Sequence, residues 1–158
     1  MTLPPLSFAS YEGSPPEPYA GDPIWRTRMF RMATYLGSRC HTDVSRLGSR
    51  VSLHVAHQFV RAVASIAANI SEGYSRGANA DRLRFYTYAL GSTRESLAWI
   101  DSLGETLWPP RAEYRDRLVQ IRRQLLTAIK AMPPASVKRQ TGARKHAPIA
   151  YRNPDSKS

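Results

Sequence analysis

The sequence predicts an all-α protein built on an antiparallel, up-down four-helix bundle, and two observations lead to this fold class. None of the 12 prolines lies between Ile24 and Trp108, so nothing there removes a helical hydrogen-bond donor or clashes with the preceding turn. Over the same stretch, apolar residues recur at steps of three and four, the period of a helix, and no useful run alternates as a half-buried strand does.

Composition and charge divide the chain into three regions. Residues 1–23 hold six prolines and a net charge of −3, residues 24–132 carry +9 and residues 133–158 carry +5, which together give the total of +11. A Pro-rich acidic leader and an apolar-poor basic tail cannot bury enough surface to offset the entropy lost on ordering. We therefore predict a disordered leader over 1–23, the bundle over 24–132 and a disordered tail over 133–158.

The first two helices are predicted over about 24–44 and 50–72. A turn containing Gly48 separates them, and Gly73 supplies a cap position after the second. The second helix has a wide apolar face, which suits contact with more than one neighbour. The apolar positions are Trp25, Met29, Met32, Ala33, Leu36, Cys40 and Val44 in the first helix, and Leu53, Ala56, Phe59, Val60, Val63, Ile66, Ala67 and Ile70 in the second.

The third and fourth helices are predicted over about 80–107 and 112–132, with Pro109 and Pro110 between them. The third helix has two adjacent apolar seams. This doubling is explained either by a well-buried central hairpin or by a subunit interface, and we favour the interface. The main seams are Leu83, Tyr86, Leu90, Thr93, Leu97, Ile100 and Leu107 in the third helix, and Tyr114, Leu118, Ile121, Leu125, Ala128 and Met132 in the fourth.

Several classes of protein are excluded by composition. The longest uncharged apolar stretch, Ala62 to Ser71, is about half as long as a transmembrane helix, and the N-terminus lacks the features of a secretory signal. Cys40 is the only cysteine, so an intrachain disulfide and a cysteine-based zinc site are both excluded. We expect a cytoplasmic protein without a membrane association.

Polar residues interrupt the apolar face of the second helix in an unusual way. Arg61, Asn69 and Glu72 lie among apolar neighbours, and Gly91 falls in the middle of the third helix, where it costs about 1 kcal/mol relative to alanine. Close approach of a neighbouring helix backbone would explain that glycine, with Ser92 and Ser96 keeping the same surface small.

This pattern resembles the four-helix-bundle family encoded in intervening sequences of bacterial large-subunit ribosomal RNA genes. A related group is the accessory variability protein (Avd) of diversity-generating retroelements. The similarity extends over about 24–132 and departs from the family pattern at Ser71, Leu90 and Thr93. The matching residues are Gln58, Arg61, Ala62, Ser65, Ile66, Asn69, Ile70, Glu72, Gly73, Arg76, Phe85, Ala89, Gly91, Ser92 and Glu95.

The resemblance implies a small bundle that assembles into a homo-oligomeric ring, which is pentameric in characterised relatives. It also implies nucleic-acid binding through a basic surface and no known enzymatic activity. Leu90 replaces the arginine of the family pattern. Any role of that arginine in the family is therefore not carried over to this chain.

The residues themselves do not favour an enzyme, a metal or another cofactor. Glu72 and Glu95 lack the histidine three residues on that a di-iron bundle uses, and pairing with Arg61 or Arg94 is the better interpretation. His54 and His57 lie three positions apart but have no further ligand at metal-binding spacing. Cys40 is interpreted as a small buried hydrophobic residue.

The basic residues are the strongest remaining functional feature. Arginine outnumbers lysine 19 to 4, which favours bidentate contacts to phosphate. Near the second inter-helix turn, arginines mix with Tyr74 and Tyr88. The candidate nucleic-acid-binding residues are Arg76, Arg82, Arg84, Arg115 and Arg122.

The leading hypothesis is a non-enzymatic, homo-oligomeric protein that binds RNA or DNA as an accessory factor. One alternative is a protein scaffold that binds a partner enzyme such as a reverse transcriptase. A second alternative, a peripheral membrane protein that uses its basic tail, is disfavoured because residues 133–158 contain no amphipathic motif.

Overall fold

Four long helices and one short N-terminal helix make up the computed structural model, which describes residues 7–102 and 110–132. Short 3-10 turns lie at Glu17–Tyr19, Pro23–Arg26 and Gly48–Arg50. Within the described ranges, no residue lies in a β-strand, and no helix is both long and apolar enough to cross a membrane. The helices are α1 (Phe8–Gly13), α2 (Arg28–Ser45), α3 (Leu53–Tyr74), α4 (Asn79–Ser102) and α5 (Arg111–Ala131).

The long helices pack around one core. Helix α3 packs against α2 and α4, and α5 packs against α4 and α2, so that the four helices form a closed cycle of contacts. The seams predicted for α2 and α5 are confirmed, since Met32, Leu36, Leu118 and Ile121 are fully buried. Together these apolar side chains form a continuous core.

Only part of the wide apolar face predicted for α3 is fully buried. The centre of the buried face is formed by Phe59, Val63, Ile66 and Ile70, whereas Leu53 is 70% exposed. Leu53 is the first residue of the helix, where the chain has just left the connection from α2. The period of the apolar pattern therefore predicts the helix correctly but misplaces the start of its buried face.

The prediction of a wholly disordered leader is wrong for residues 7–23. Helix α1 begins at an N-cap in which the Ser7 hydroxyl accepts a hydrogen bond from the Ser10 amide. Phe8 and Tyr11 are buried, and both rings contact Tyr35 of α2, at centroid distances of 5.3 and 5.4 Å. We call residues 7–26 the strap. Its aromatic side chains bury enough apolar surface to order a segment that its prolines and acidic residues suggest is disordered.

Charge also fixes the strap to the bundle. The carboxylate of Glu12 lies 2.9 Å from a guanidinium nitrogen of Arg31 and 3.3 Å from one of Arg28. On α5, the Arg117 guanidinium carbon lies 4.4 Å from the centroid of the Phe8 ring, a cation–π arrangement. The strap therefore contacts both α2 and α5.

The start of the first long helix differs from the prediction. The first long helix begins at Arg28 rather than near residue 24, because Pro23–Arg26 form a 3-10 turn and Thr27 has an extended backbone. The Asp22 carboxylate accepts a hydrogen bond from the Ile24 amide and so caps that turn. The predicted end of the third helix at 107 and the predicted tail over 133–158 lie outside the described residues.

A buried polar cluster joins α2 to α5. Asp43 is 3% exposed; it accepts a hydrogen bond from Arg39 at 2.8 Å and one from the Tyr114 hydroxyl at 3.0 Å. Burial raises the pKa of the neighbouring Cys40 thiol to about 12, with the Asp43 carboxylate adding to the effect. Cys40 is thus a protonated, buried side chain at neutral pH, as predicted for a small hydrophobic residue.

Candidate nucleic-acid interface

The connection between α3 and α4 brings arginines and aromatic rings together. The guanidinium carbons of Arg76 and Arg84 each lie 5.2 Å from the centroid of the Phe85 ring, and Tyr88 meets the same ring edge-on at 6.0 Å. Phe85, Arg84 and Tyr88 project from the first turns of α4, while Arg76 lies in the connection itself. Phe85 is therefore the centre of a cation–aromatic cluster, which we call the Phe85 cluster.

The arginines near this connection form ion pairs with acidic neighbours. Arg76 pairs with Glu72 one turn earlier on α3, and Arg84 pairs with Asp81 at 3.3 Å on α4. These pairs are about half exposed, and exposed ion pairs are worth at most about 1 kcal/mol. The guanidinium groups can therefore exchange these partners for a phosphate at little cost.

Arg82 has a different position from the other two arginines. Its guanidinium donates a 2.8 Å hydrogen bond to the Arg76 carbonyl and fixes the backbone of the connection. Its side chain also lines a surface cavity of about 460 Å³, together with Tyr74, Tyr86 and Met132. Burial raises the pKa of the Tyr86 hydroxyl, so this hydroxyl stays a hydrogen-bond donor well above neutral pH.

The other two predicted arginines lie elsewhere. Arg115 donates a 2.6 Å hydrogen bond to Asp101 near the end of α4, and Arg111 pairs with the same carboxylate at 3.1 Å. Arg82 and Asp101 are 19 residues apart on α4, which is about 28 Å along the helix. Arg122 is half-buried on α5, two turns beyond Arg115. The five candidates thus form one group of three and a separate pair, not a single patch.

The polar residues of the family pattern lie on the outside of the bundle. Arg61 is 71% exposed and its guanidinium lies 3.8 Å from Glu95, itself 43% exposed, while it also donates to Gln58 at 2.7 Å. The predicted pairing of Arg61 with a glutamate is present, but it is a surface pair between α3 and α4. Asn69 is half-buried, and its amide donates to the Ser65 carbonyl at 2.8 Å.

The two glycines of the pattern have opposite surroundings. Gly73 lies inside α3 rather than after its end, and a Cβ there would lie 2.6 Å from the Tyr86 ring. At Gly91 an added Cβ would meet nothing within 4 Å, so the predicted close approach of a neighbouring helix is wrong within a single chain. Ser92 beside it is half-buried, and its carbonyl accepts the Ser96 hydroxyl at 2.8 Å.

The histidine pair has no further ligand nearby. The His54 ring packs edge-on against Trp99 at 6.3 Å, and His57 is exposed. Across residues 7–102 and 110–132, no group of three or more histidine, cysteine, aspartate or glutamate side chains could hold a metal ion.

Sequence reasoning did not identify Phe85 as the organising residue of the candidate interface. The signal was present, because Phe85 directly follows Arg84 and lies nine residues after Arg76. The cavity between Tyr74 and Met132 had no such signal, since it depends on residues more than 50 positions apart in the chain.

This chain is similar to a known protein family and to a solved structure. The model of the family described as 23S rRNA-intervening sequence protein matches residues 27–126. A crystal structure of a protein with unknown function from the S23 ribosomal protein family of Bacteroides thetaiotaomicron VPI-5482 is similar in fold, with a TM-score of 0.59 and 21% sequence identity. The match covers 65% of this chain and 98% of that one. Among curated proteins, none matches significantly. The strap precedes the matched region.

Proposed function

This chain belongs to the 23S rRNA-intervening sequence protein family, and we propose that it acts as a non-enzymatic, homo-oligomeric accessory protein that binds RNA or DNA. The observation that carries the proposal is the Phe85 cluster, in which Arg76 and Arg84 share the half-buried Phe85 ring beside the exposed ring of Tyr88. Arginine combined with exposed aromatic rings is the side-chain chemistry that recognises phosphates and bases.

The charge of the chain supports the same function. Residues 24–132 contain 17 basic and eight acidic residues, and such an excess attracts a polyanion over a distance of about 8 Å at physiological salt. Contacts to phosphate would then dominate the affinity, so that binding falls steeply as salt rises and depends little on sequence.

Pairings between helices support an antiparallel, up-down arrangement of the bundle. From the start of α3 to its end, His54 contacts Trp99, Arg61 pairs with Glu95, and Gly73 packs against Tyr86. The partner's number falls as the number on α3 rises, which is the register of two helices that run in opposite directions.

The outer face of α3 and α4 supports self-association. This face carries small exposed side chains, among them Ala64, Ala68, Gly91 and Ala98, which allow two helices to approach closely. The resemblance to pentameric relatives leads us to propose a ring of five copies. A ring would present several Phe85 clusters to one nucleic acid and would gain affinity through multivalency.

Fluorescence anisotropy with labelled structured RNA and duplex DNA tests the proposal. The full chain is titrated over a salt series beside two charge-matched variants, Arg76→Gln with Arg84→Gln and Arg115→Gln with Arg122→Gln. A third variant has the six basic residues of 133–158 changed to glutamine. We expect salt-sensitive binding that the first pair of substitutions weakens most, by about tenfold or more.

Binding that is absent, or that does not depend on salt, would overturn the proposal. The chain would then be better regarded as a protein scaffold whose partner is an enzyme such as a reverse transcriptase. Binding that disappears only with the tail substitutions would remove the function from the bundle. The relation to Avd, the absence of enzymatic activity and a cytoplasmic location stay predictions.

A further inference from the structure

Exposed aromatic side chains are concentrated at the α3–α4 connection. Four large hydrophobic side chains are exposed among residues 7–102 and 110–132, and the only two aromatic ones are Tyr74 at 38% and Tyr88 at 53%. Tyr74 is the last residue of α3 and Tyr88 lies in the third turn of α4, so the two lie on either side of Arg76 and Arg84 in sequence. The other two are leucines on α3 and α5.

Exposed tyrosines beside arginines are useful for binding bases and less useful for binding a duplex. In a duplex, the faces of the bases are stacked on each other and only their edges can be reached. In a single strand, each base has a free face that stacks on an aromatic ring or on a guanidinium plane. The two tyrosines and the guanidinium groups of Arg76 and Arg84 offer both kinds of surface.

The neighbouring cavity has the size and the lining for one base. Its volume of about 460 Å³ lies in the range of small-molecule sites. Tyr74 and Tyr86 supply aromatic walls, and Met132 supplies a thioether. Arg82 has five N–H donors, of which the contact to the Arg76 carbonyl uses one.

We infer that the α3–α4 connection binds unpaired nucleotides, with one base in the Tyr74–Arg82–Tyr86–Met132 cavity, a second base stacked on Tyr88, and the intervening phosphates on Arg76 and Arg84. The inference rests on the proposed function, because it requires that the chain binds nucleic acid. It adds the substrate class, which is a single strand, loop or end rather than a continuous duplex.

The test compares one 20-nucleotide RNA, as a single strand and as a duplex with its complement, at the same salt concentration with the full chain. The same sequence in DNA, single-stranded, shows whether the ribose contributes. We expect the single strand to bind about fivefold or more tightly than the duplex. Single strands that carry 2-aminopurine should show a fluorescence change as the base leaves its stacked neighbours.

Tyrosine variants leave the net charge of the chain unchanged. They therefore separate the contribution of stacking from that of electrostatic attraction. Tyr88→Ala and Tyr74→Ala should each weaken single-strand binding about fivefold and leave duplex affinity unchanged. Tyr88→Phe keeps the ring and should bind like the unmodified chain. Leu126→Ala, at a 43% exposed position on α5, is the matched control and should change neither affinity. Circular dichroism of each variant reports whether the bundle still folds.

The outcomes separate the two proposals. Duplex affinity equal to or greater than single-strand affinity, with no effect of the tyrosine substitutions, would overturn the inference and leave nucleic-acid binding in place. An absence of salt-sensitive binding to either form would overturn the proposed function itself.

Discussion

Tyr86 packs its ring against the backbone of Gly73, so closely that a Cβ on the glycine would lie 2.6 Å from Cδ1 of the ring. Tyr86 is 5% exposed, and the Cβ of Phe85 is 3.1 Å from the same point. Gly73→Ala should therefore force the ring to move and should lower the free energy of unfolding by about 1–3 kcal/mol.

Gly91→Ala is the matched control for this substitution. Gly91 is also inside a helix, but an added Cβ there meets nothing within 4 Å. In the single chain, alanine should therefore raise the free energy of unfolding by up to about 1 kcal/mol through helix propensity. Urea denaturation of both variants measures the difference, and equal effects would contradict the close packing at Gly73.

The strap should contribute to stability through its aromatic side chains. Phe8→Ala removes a side chain that is 5% exposed and contacts both Tyr35 and Arg117. We expect a loss of about 2–4 kcal/mol in the free energy of unfolding, near the lower end for a buried phenylalanine because the site lies at the edge of the core. Glu17→Gln, at an exposed position of the same segment, should have no effect. A Phe8→Ala variant as stable as the unmodified chain would show that the strap does not stabilise the bundle.

The stability of the chain should fall in alkaline solution, and Cys40 should begin that fall. The folded state raises the pKa of its thiol from 9.0 to about 12, mainly by burial. The contribution of the Cys40 thiol to the free energy of unfolding is therefore complete below pH 9. It is lost between pH 9 and 12, by up to about 1.4 kcal/mol per pH unit. Burial also raises the pKa of Tyr114 above its ordinary value of 10.0, so this side chain should add to the fall above pH 10.

Unfolding by urea at closely spaced pH values measures this dependence. In Cys40→Ala the slope between pH 9 and 10 should be shallower than in the unmodified chain, whatever the change in stability at pH 7. Tyr114→Phe should keep the slope that begins at pH 9. An unchanged slope in Cys40→Ala would show that the thiol does not titrate as its burial requires.

Self-association should depend on the outer face of α4. Gly91→Gln places a long, uncharged side chain on an exposed surface, which a close helix contact between copies could not accommodate. We expect sedimentation velocity to show a shift from oligomer to monomer, with the helical content of the chain retained. Ala112→Gln, on the exposed side of α5, should leave the oligomer intact. Retention of the oligomer in Gly91→Gln would exclude this face as the interface.

The sequence predicts the long helices well because their signal is local. Leu118, Ile121 and Leu125 follow a helical period that ends at a proline pair, and all three are fully buried. The strap lacks such a signal. Phe8 and Tyr11 are two aromatic residues among prolines and acids, and their burial depends on Tyr35 and on α5, whose positions exist only after the chain has folded.

The sequence predicts which residues belong to the candidate site, but it does not predict how they are arranged in space. Arg76, Arg82 and Arg84 are close in sequence and remain close in space. Arg115 instead pairs with Asp101, which lies about 28 Å from Arg82 along α4. Likewise, the pairing of Arg61 with Glu95 follows from charge, but its exposure depends on which way each helix faces. Sequence spacing gives the face of one helix and does not give the rotation of two helices relative to each other.

The contact between Phe8 and Arg117 joins residues more than 100 positions apart. During synthesis the strap leaves the ribosome before any of the long helices, yet one of its anchoring partners belongs to the last of them. The strap can pack against Tyr35 and pair with Arg31 as soon as α2 has formed, whereas its contact with Arg117 can form only after α5 has been synthesised. A signal from the contact between Phe8 and Arg117 would therefore report that α5 has docked against the strap.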